Sequence, residues 1–511
     1  MNGSRAVVIG SGFGGLGAAI RLQARGWNVT LLEMRDKPGG RAYVYEDQGF
    51  TYDAGPTIVT VPFVLEELWS LAGRKMSDDV KLVPCSPFYR IVFQDGQTFD
   101  YTGKQSEIEA EIRKFNPKDV EGYRRFAKKT SQIFDKAFTE LADQPFSSVG
   151  DMLRVAPDLI RLRADRSVYG MVSKYIRDPR LRQVFSFEPL LIGGNPLRAS
   201  SIYSMIHHLE KTWGVHFVMG GTGALVRAMT ELFESLGGTM HLNARVTEIA
   251  CASNGVRPHV KEVRTANGER FEADVVVSNA DVANTYRKLI DPKWRRKWTD
   301  LRLEKMRYAM SLFVVYFGTR RTYPHLAHHT IVMGPRYEGL LREIFDSKTV
   351  ADDFSLYLHA PTRTDPSLAP PGHECFYVLS PVPHLGGGQD WDKIGEEYAD
   401  RIFASLERDD LVPDLRKNLV SKRIFTPKHF ETQLDAYLGS AFQFEPVLSQ
   451  SAWFRPHNVS EEIEGLYFAG AGTHPGAGLP GVLSSARLLD RVIPPARRSP
   501  ANRSELLPAV L

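Results

Sequence analysis

The first thirty residues contain a strand, a glycine-rich turn, a helix and a second strand in immediate succession. Ala6–Ile9 is short and apolar, and the turn GSGFGG, residues 10–15, follows it directly. A helical pattern then runs to Gly26, and a second apolar segment ends on Glu33. This order predicts a Rossmann-like β-α-β unit that binds a dinucleotide at the start of its helix.

Each residue of this turn has a separate physical role. Gly10 allows the tight turn, Gly12 lets the backbone approach a pyrophosphate, and Gly15 lets the helix pack closely on the strand. Gly14 lies in the same turn and is expected at the cofactor. Glu33 is placed to accept hydrogen bonds from ribose hydroxyls, and its charge disfavours the 2′-phosphate of NADP.

The residues after Glu33 favour FAD over NAD. Gly39-Gly40-Arg41 is a second flexible turn, with an Arg side chain that can reach a pyrophosphate or a ribose, although an ordinary surface turn has the same composition. A further turn, residues 53–57, follows the apolar strand Phe50–Tyr52, where nicotinamide dehydrogenases continue into a third Rossmann unit. This arrangement resembles the FAD-binding half of amine-oxidase-like flavoproteins. The predicted cofactor contacts here are Gly40, Arg41, Gly55, Pro56 and Thr57.

The middle of the chain returns to the cofactor-binding pattern. A helix is predicted over Leu225–Leu236, and it is followed by strands at Met240–Leu242 and Arg245–Ile249. A buried strand, Ala273–Val277, precedes the turn at residues 278–281. Strand edges and turns of this kind can surround the adenine and the pyrophosphate. Two further contacts are therefore predicted, Val246 and Asn279.

A second glycine-rich loop, GAGTHPGAGLPG, occupies residues 470–481. It joins an apolar strand, Leu466–Ala469, to a helical pattern over Val482–Val492. Its first part is expected close to the ribityl and phosphate groups, where side chains would not fit. Its last part is expected to bring backbone N–H groups and the positive end of the helix to the flavin ring. The predicted contacts are Gly470, Gly472, Thr473, Gly481 and Val482.

These patterns predict an α/β protein with a discontinuous FAD-binding domain. Its three segments are residues 1–75, 215–295 and 455–495. The intervening segments, 76–214 and 296–454, are assigned to a mixed α+β substrate domain with a helical, membrane-facing part. A chain of 511 residues is long enough for two such domains.

Composition excludes several other classes of protein. The formal net charge of +4 gives no support to nucleic-acid binding. The three cysteines, Cys85, Cys251 and Cys375, are scattered and do not form a disulfide framework or a zinc motif. The longest apolar stretch, residues 309–318, is only as long as a strand. We therefore expect a cytoplasmic protein that meets a membrane only at its surface, with a polar, mobile tail at residues 496–511.

Five segments together resemble the bacterial-type phytoene desaturases of the carotenoid and retinoid oxidoreductase family. They begin at residue 6 with AVVIGSGFGGLGAAIRLQARG and continue through RDKPGGRAYVYEDQGFTYDAGPT, LLIGGNPLRASSIYSMIHHLE and SNADVANTYR to LYFAGAGTHPGAGLPGVLSSA. The resemblance extends from residue 5 to about residue 490 and is most specific in the last segment. It implies FAD as cofactor, phytoene as a lipid-soluble substrate, successive desaturation to neurosporene or lycopene, peripheral membrane association, and quinone or oxygen as electron acceptor.

Desaturation of an allylic CH₂–CH₂ unit needs a hydride acceptor and a route for a proton. The flavin takes the hydride, and the protein is expected to provide an apolar tunnel that keeps water away from a delocalised cation. The candidates for lining this tunnel are aromatic: Phe185, Phe187, Tyr203, Phe313, Tyr316 and Phe317. A catalytic base is hard to assign. Glu188 is the candidate chosen; the other candidates are His207, His208 and Glu210, which lie close to one another in sequence, and the pair His328-His329.

Two further patterns allow a functional or a structural interpretation. The pairs His207-His208 and His328-His329 are not predicted to bind a metal, because adjacent side chains point in different directions. Residues 151–185 are rich in arginine, and Val168, Met171, Val172, Tyr175 and Ile176 share one helical face. Packing on the core explains this face, but a lipid-soluble substrate favours docking on a membrane.

Two alternatives to a phytoene desaturase remain. The first is a related enzyme that acts on another carotenoid, such as a C30 or oxygenated polyene, or on an amine. The second is an isoprenoid-binding protein without redox activity, such as the Rab escort-like proteins that share this fold. Such a protein has no use for a complete phosphate loop followed by Glu33.

Overall fold

A computed structural model describes residues 4–141, 144–146, 149–253, 255 and 257–496. The strands in this part of the chain are β1 (Arg5–Ile9), β2 (Asn28–Leu32), β3 (Val44–Asp47), β4 (Phe50–Asp53), β5 (Leu82–Pro84), β6 (Tyr89–Val92), β7 (Thr98–Tyr101), β8 (His216–Val218), β9 (Thr239–His241), β10 (Val246–Ser253), β11 (Pro258–Thr265), β12 (Arg270–Glu272), β13 (Val275–Ser278), β14 (Ser311–Thr319), β15 (His329–Val332), β16 (Leu356–His359), β17 (Glu374–Val382), β18 (Leu419–Phe425) and β19 (Leu466–Phe468).

The α-helices are distributed along the whole described chain and vary from a single turn to five turns. They are α1 (Phe13–Ala24), α2 (Phe63–Leu71), α3 (Gln105–Phe115), α4 (Asp119–Phe134), α5 (Val149–Leu162), α6 (Val168–Tyr175), α7 (Pro179–Val184), α8 (Met205–Trp213), α9 (Thr222–Ser235), α10 (Val282–Asn284), α11 (Asp300–Glu304), α12 (Tyr337–Arg342), α13 (Trp391–Arg408), α14 (Leu415–Asn418), α15 (Pro427–Leu434) and α16 (Leu479–Val492). None of these described helices is long and apolar enough to cross a membrane.

A five-stranded parallel sheet carries the cofactor-binding pattern. Its strand order is β19-β13-β1-β2-β9, with β1 paired to β13 on one side and to β2 on the other. The strands come from all three segments assigned to the FAD-binding domain. The glycine-rich turns after β1 and β19 therefore emerge from the same edge of one sheet, because parallel strands end on the same side.

This sheet is covered on both faces, as its continuous apolar strands require. On one face α1 packs against α9 and α16, and Val8 and Leu31 belong to their shared core. On the other face Val7 and Ile9 pack with the antiparallel sheet β10-β11-β12. The result is a three-layer unit.

A seven-stranded sheet forms the second unit, in the order β18-β14-β17-β16-β15-β6-β7. All of its neighbouring strands are antiparallel except β15 and β6, which are parallel. Along β14, Phe313 and Phe317 pack towards α13, whereas Tyr316 lies in the core on the opposite face. The prediction that these three aromatic residues line one tunnel is therefore wrong, because alternate residues of a strand face opposite sides.

The arginine-rich segment 151–185 forms parts of three helices, α5, α6 and α7. Val168, Met171 and Val172 of α6 are buried in the main hydrophobic core, together with Ile176. The face that these residues share is thus a packing face, and its predicted membrane docking is wrong. An amphipathic stripe has the same pattern whether it meets protein or lipid. The predicted tail, 496–511, lies outside the described residues except for Ala496.

Candidate functional site

The first glycine-rich turn is packed so tightly that side chains are excluded. Gly10 has a positive φ of 89°, and its N–H donates to the Leu32 carbonyl at 2.8 Å. A Cβ on Gly15 would overlap the carbonyl oxygen of Gly10. A Cβ on Gly12 would lie 2.9 Å from Oδ1 of Asn279. The first turn of α1 is therefore held against β1, with its backbone open to a ligand.

Glu33 follows the last residue of β2 and lies beside this turn. Its Oε2 accepts hydrogen bonds from the backbone N–H and the hydroxyl of Ser11, at 2.8 and 2.6 Å, and its Oε1 accepts from the Arg35 N–H at 3.0 Å. The carboxylate is thus fixed next to the glycine-rich turn of residues 10–15. The sequence predicts a ribose contact at this position. Ser11 was not singled out from the sequence, although it occupies a variable position of the glycine motif.

The turn at residues 39–41 lies directly against the first loop. The Gly39 N–H donates to the Ser11 carbonyl at 3.1 Å, and a Cβ on Gly40 would approach Gly12 to 3.3 Å. Nη2 of Arg41 donates to the Ser440 carbonyl at 3.4 Å, whereas its buried Nε has no partner among the described residues. Burial lowers the pKa of Arg41, and the nearby charge of Asp281 opposes that shift. A buried guanidinium with an unused donor is suited to an anionic ligand.

The next predicted contacts, Gly55, Pro56 and Thr57, connect the cofactor loops to the seven-stranded sheet. A Cβ on Gly55 would overlap the Arg41 carbonyl oxygen, so the two turns are in direct contact. The Pro56 carbonyl accepts from the Thr222 hydroxyl at 2.7 Å. The buried Thr57 hydroxyl is hydrogen-bonded to the phenols of Tyr377 and Tyr357, at 2.8 and 3.3 Å.

Asn279 links the two glycine-rich loops, which are far apart in sequence. Its N–H donates to the Ile9 carbonyl at the end of β1, and its Nδ2 donates to the Ala469 carbonyl after β19 at 2.9 Å. A Cβ on Gly14 would lie 2.6 Å from the same Nδ2 and 3.1 Å from Gly470. The side chain therefore fixes the spacing between the loops.

The second glycine-rich loop begins beside Asn279 and then passes Gln443. The Gly470 N–H donates to the Ser485 hydroxyl of α16 at 2.7 Å, with φ of 117° at Gly470. A Cβ on Gly472 would overlap Oε1 of Gln443. The fully buried Thr473 hydroxyl donates to the Pro456 carbonyl at 2.8 Å. Thr473 thus anchors the loop, and Gln443 is a contact that the sequence did not indicate.

Helix α16 begins at Leu479, three residues earlier than its apolar pattern indicated. The Val482 N–H donates to the Gly478 carbonyl at 2.9 Å, so it closes the first helical turn and is not available to a flavin. That part of the prediction is wrong. A Cβ on Gly481 would lie 2.6 Å from the Gly476 carbonyl oxygen, so this glycine is required by the loop itself as well as by any ligand.

The remaining predicted contact, Val246, is the first residue of β10. It is half-buried and packs on the side of the parallel sheet that carries Leu32. The Ala244 N–H, two residues earlier, donates to the Glu33 carbonyl at 2.8 Å. Val246 therefore begins a strand that starts next to the predicted ribose contact.

Glu188 belongs to a fully buried cluster of polar side chains. Its Oε1 accepts from the Tyr101 phenol at 2.8 Å, and this phenol also bonds Nδ1 of His207. Oε1 of Glu210 accepts from the Tyr89 phenol at 2.6 Å. The second carboxyl oxygen of each glutamate is buried without a hydrogen-bond partner among the described residues.

The electrostatics of this cluster keep its members uncharged. Burial raises the pKa of Glu188 well above its ordinary value, and the negative charge of Glu210 raises it further. Burial also raises the pKa of Glu210 to about 8 and lowers the pKa of His207 to about 3. Among the described residues neither carboxyl has a charged basic partner, so burial favours the protonated form of both.

A second buried group contains Cys85, His328 and His329, whose potential ligand atoms all lie within 4.8 Å of one another. The sequence argument that adjacent histidines must diverge is therefore wrong here, because the chain turns into β15 between them. The imidazoles already have hydrogen-bond partners: His328 bonds Thr364 at 2.6 Å and His359 at 3.0 Å, and His329 bonds Tyr357 at 2.7 Å. These bonds account for the burial of all three rings.

The geometry of the loops fits FAD. Both loops contain glycines at positions where a Cβ would meet neighbouring backbone or the side chains of Asn279, Gln443 or Arg455, so the loops pack closely and their main chain carries no side chains that would hinder a ligand. The start of α1 and the unused Nε of Arg41 could donate hydrogen bonds to a pyrophosphate, and Glu33 could accept hydrogen bonds from a ribose. The start of α16 supplies a positive helix end at the same edge of the sheet.

Comparisons with known proteins agree with this fold and with a flavin cofactor. The chain matches the family described as flavin containing amine oxidoreductase over residues 13–488. It is 55% identical to the lycopene-forming phytoene desaturase of Pseudescherichia vulneris, covering 94% of this chain and 97% of that one. It is 44% identical to the neurosporene-forming phytoene desaturase of Rhodobacter capsulatus, covering 96% and 94%. An oxidoreductase structure from Methanosarcina mazei has the same fold, with a TM-score of 0.62, 15% identity, and 95% and 100% coverage.

The fold and the two glycine-rich loops define an FAD-dependent oxidoreductase. The chain belongs to the flavin-containing amine oxidoreductase family, which its sequence matches over nearly its whole length. The predicted fold class and cofactor are thereby confirmed.

Proposed function

We propose that this chain is an FAD-dependent phytoene desaturase that forms neurosporene or lycopene in carotenoid biosynthesis. The observation that carries this proposal is the 55% identity to a lycopene-forming phytoene desaturase over 94% of this chain and 97% of the relative. Identity of 44% to a neurosporene-forming relative supports the same substrate and leaves both products possible.

Bound FAD would supply the acceptor for a hydride from the allylic carbon of the polyene. The residues of the chain have separate roles around it. Arg41 and the start of α1 bind the pyrophosphate, Glu33 binds the adenosine ribose, and Asn279 keeps the two glycine-rich loops at a fixed separation. The loop at residues 470–481 and the start of α16 lie at the ring. The residues of the site would therefore orient the FAD, and the FAD would accept the hydride.

Glu188 remains the proposed proton acceptor. Its burial among aromatic side chains keeps its pKa high, so its carboxylate form is a strong base when it is present. Since Glu210 shares the same buried space, the two carboxyls titrate as a pair rather than separately. Proton uptake by this pair is therefore favoured when one of its members is ionised.

A membrane surface is proposed on α5. Leu153 and Ile160 are seven residues apart on this helix, so they share one face, and they are 71% and 73% exposed. Arg154 and Arg161 are exposed beside them. The helix packs next to the short 3₁₀ helix Ala452–Phe454, where Phe454 is also exposed. Exposed apolar side chains with flanking cations are suited to the headgroup region of an anionic bilayer.

The double variant Leu153→Glu/Ile160→Glu is expected to reduce co-sedimentation with anionic liposomes by about tenfold or more. Each substitution replaces an apolar side chain that would be buried in the bilayer with a negative charge. FAD content is expected to stay unchanged. The matched control is Leu301→Glu on α11, where the leucine is 62% exposed. Equal loss of liposome binding in both variants would show that α5 is not the docking surface.

Desaturation itself is tested with the purified FAD-loaded protein, phytoene in liposomes and a quinone. The expected result is a set of polyene absorption bands at longer wavelength, together with bleaching of the flavin spectrum when no acceptor is present. Replacing quinone by oxygen in a parallel reaction identifies the acceptor. Bleaching by another carotenoid but not by phytoene would favour the related desaturases, and a colourless protein that binds phytoene without FAD would favour an isoprenoid-binding protein.

A further inference from the structure

Arg455 is a buried cation without an acidic partner among the described residues. Its side chain is 2% exposed, although arginine is rarely found at such depth without a carboxylate. Its two hydrogen bonds are long and lead to carbonyl oxygens, Nη1 to Pro475 at 3.4 Å and Nη2 to Phe444 at 3.3 Å. Its Nε is buried with no partner in the described part of the chain.

The lack of an acidic partner distinguishes Arg455 from the buried Arg21 and Arg295, whose Nε atoms are likewise buried without a partner among the described residues. Arg21 pairs with Asp490 at 2.7 Å and with Glu67 at 3.0 Å, and Arg295 pairs with Asp300 at 2.7 Å. Arg41, at the proposed pyrophosphate site, has Asp281 nearby. Burial lowers the pKa of Arg455, but a guanidinium still keeps its proton in a protein. An unbalanced buried charge is unfavourable by several kcal/mol unless an anion compensates it.

Arg455 lies against the second glycine-rich loop. A Cβ on Gly476 would overlap its Nη1, so the guanidinium lies directly under the second glycine-rich loop. Gly476 in turn contacts the first turn of α16, since a Cβ on Gly481 would lie 2.6 Å from its carbonyl oxygen. Arg455 and the positive N-terminal end of α16 therefore both lie against the backbone at Gly476, on opposite sides of it.

We propose that Arg455 is the fixed positive charge that stabilises the anionic, reduced form of the flavin. The inference rests on the proposed function only in requiring FAD to bind with its ring at the second loop. Two-electron reduction by hydride adds negative charge to the ring, and a cation in a dry, low-dielectric position stabilises such charge more strongly than one in water. Arg455 acts through the field of its charge, so it is a positioning residue rather than a catalytic one.

The test is the reduction equilibrium of the bound flavin, measured anaerobically against a reference dye and without any polyene. Arg455→Met is expected to shift this equilibrium towards oxidised flavin by about tenfold, which is about 30 mV for a two-electron couple. Arg455→Lys keeps the charge and is expected to restore most of the shift. Arg295→Met removes a buried arginine that already has an acidic partner, and it is expected to leave the equilibrium unchanged.

A purely structural role predicts a different pattern. Both Arg455 variants would then lower the melting temperature while the reduction equilibrium stayed at its wild-type value, and that result would overturn the proposal. Failure of phytoene desaturation would not affect it, since no substrate enters the measurement. A wild-type protein unable to bind FAD would overturn the cofactor assignment and this proposal together.

A measurement on the wild-type protein keeps the proposal testable if Arg455→Met does not fold. Absorbance of the reduced, bound flavin distinguishes its anionic from its neutral form. The cation is expected to hold the bound reduced flavin in its anionic form to at least about one pH unit below the transition of free reduced FAD measured alongside, since a tenfold change in ionisation is one unit. Protonation at the same pH as free FAD would contradict the proposal.

Discussion

Replacing Gly15 with alanine is expected to weaken FAD binding by about two orders of magnitude. The added Cβ would overlap the carbonyl oxygen of Gly10 and lie 3.2 Å from the Cβ of Asn279. Because the first clash is between a Cβ, which no rotamer change can move, and a backbone carbonyl oxygen, α1 must move away from β1. Overpacking of this kind costs about 3 kcal/mol, which is more than a hundredfold in affinity. FAD titration measures the loss of affinity, and thermal unfolding of the apoprotein measures the loss of stability separately.

Gly17→Ala on the same helix is the matched control. A Cβ at Gly17 would meet the end of the Leu483 side chain at 3.2 Å and the Cβ of Ala486 at 3.3 Å. A leucine tip can shift, and alanine favours a helix interior over glycine by up to about 1 kcal/mol. FAD affinity close to wild type is therefore expected. If Gly15→Ala also kept wild-type affinity, the close approach of α1 to β1 would not be needed for the cofactor.

Replacing Glu210 with glutamine is expected to remove part of the loss of stability that the wild-type protein undergoes in alkali, and Glu188 accounts for a further part. A carboxyl whose pKa is higher in the folded protein binds more protons when folded, so its contribution to stability is complete below the ordinary pKa and is lost as pH rises towards the folded value. The pKa of Glu210 is raised from 4.5 to about 8. The corresponding change in the free energy of unfolding is at most on the order of 5 kcal/mol.

The measurement is denaturant unfolding of wild type and variant at about pH 5 and about pH 9. Glu210→Gln is expected to be the more stable protein at the higher pH only. Glu107→Gln is the control, since hydrogen bonding to Lys104 lowers the pKa of this exposed glutamate and it stays ionised across the whole range. Parallel stability profiles for wild type and Glu210→Gln would mean that the buried pair does not hold its protons.

Activity of Glu188→Gln extends the same experiment to the proposed proton acceptor. If Glu188 accepts the proton, the variant keeps FAD and substrate binding but loses turnover at every pH. If Glu188 is structural, turnover falls only in proportion to the folded fraction. These two outcomes thus distinguish a role of Glu188 in proton transfer from a role in packing.

Much of the cofactor site could be predicted from short stretches of sequence. The GxGxxG turn and the acidic residue after the second strand are constrained by local geometry, since a turn, a helix start and a phosphate must fit within one β-α-β unit. The glycines of the second loop were recognised in the same way. The helix that follows was placed three residues too late, because the apolar pattern of α16 begins after its first turn.

The contacts that connect distant segments could not be predicted, even for Asn279, which the sequence predicts as a cofactor contact but not as a link between the two loops. Gln443 lies against Gly472, and Asn279 reaches both Gly14 and Gly470, but neither spacing leaves a periodic signal. Arg455 looks like any surface arginine in the sequence FRPHN. Only the packed chain reveals that its partner is a carbonyl rather than a carboxylate.

The class of cofactor, the order of the two glycine-rich loops and the family could all be predicted from the amino-acid sequence, because they depend on residues close together in the chain. The tertiary structure decided which amphipathic faces are core, as on α6, and which remain exposed, as on α5. It also decided that Glu188 shares its burial with Glu210 and that Arg455 has no acidic partner among the described residues. Burial and charge balance depend on what packs against a side chain, and that partner is usually far away in sequence.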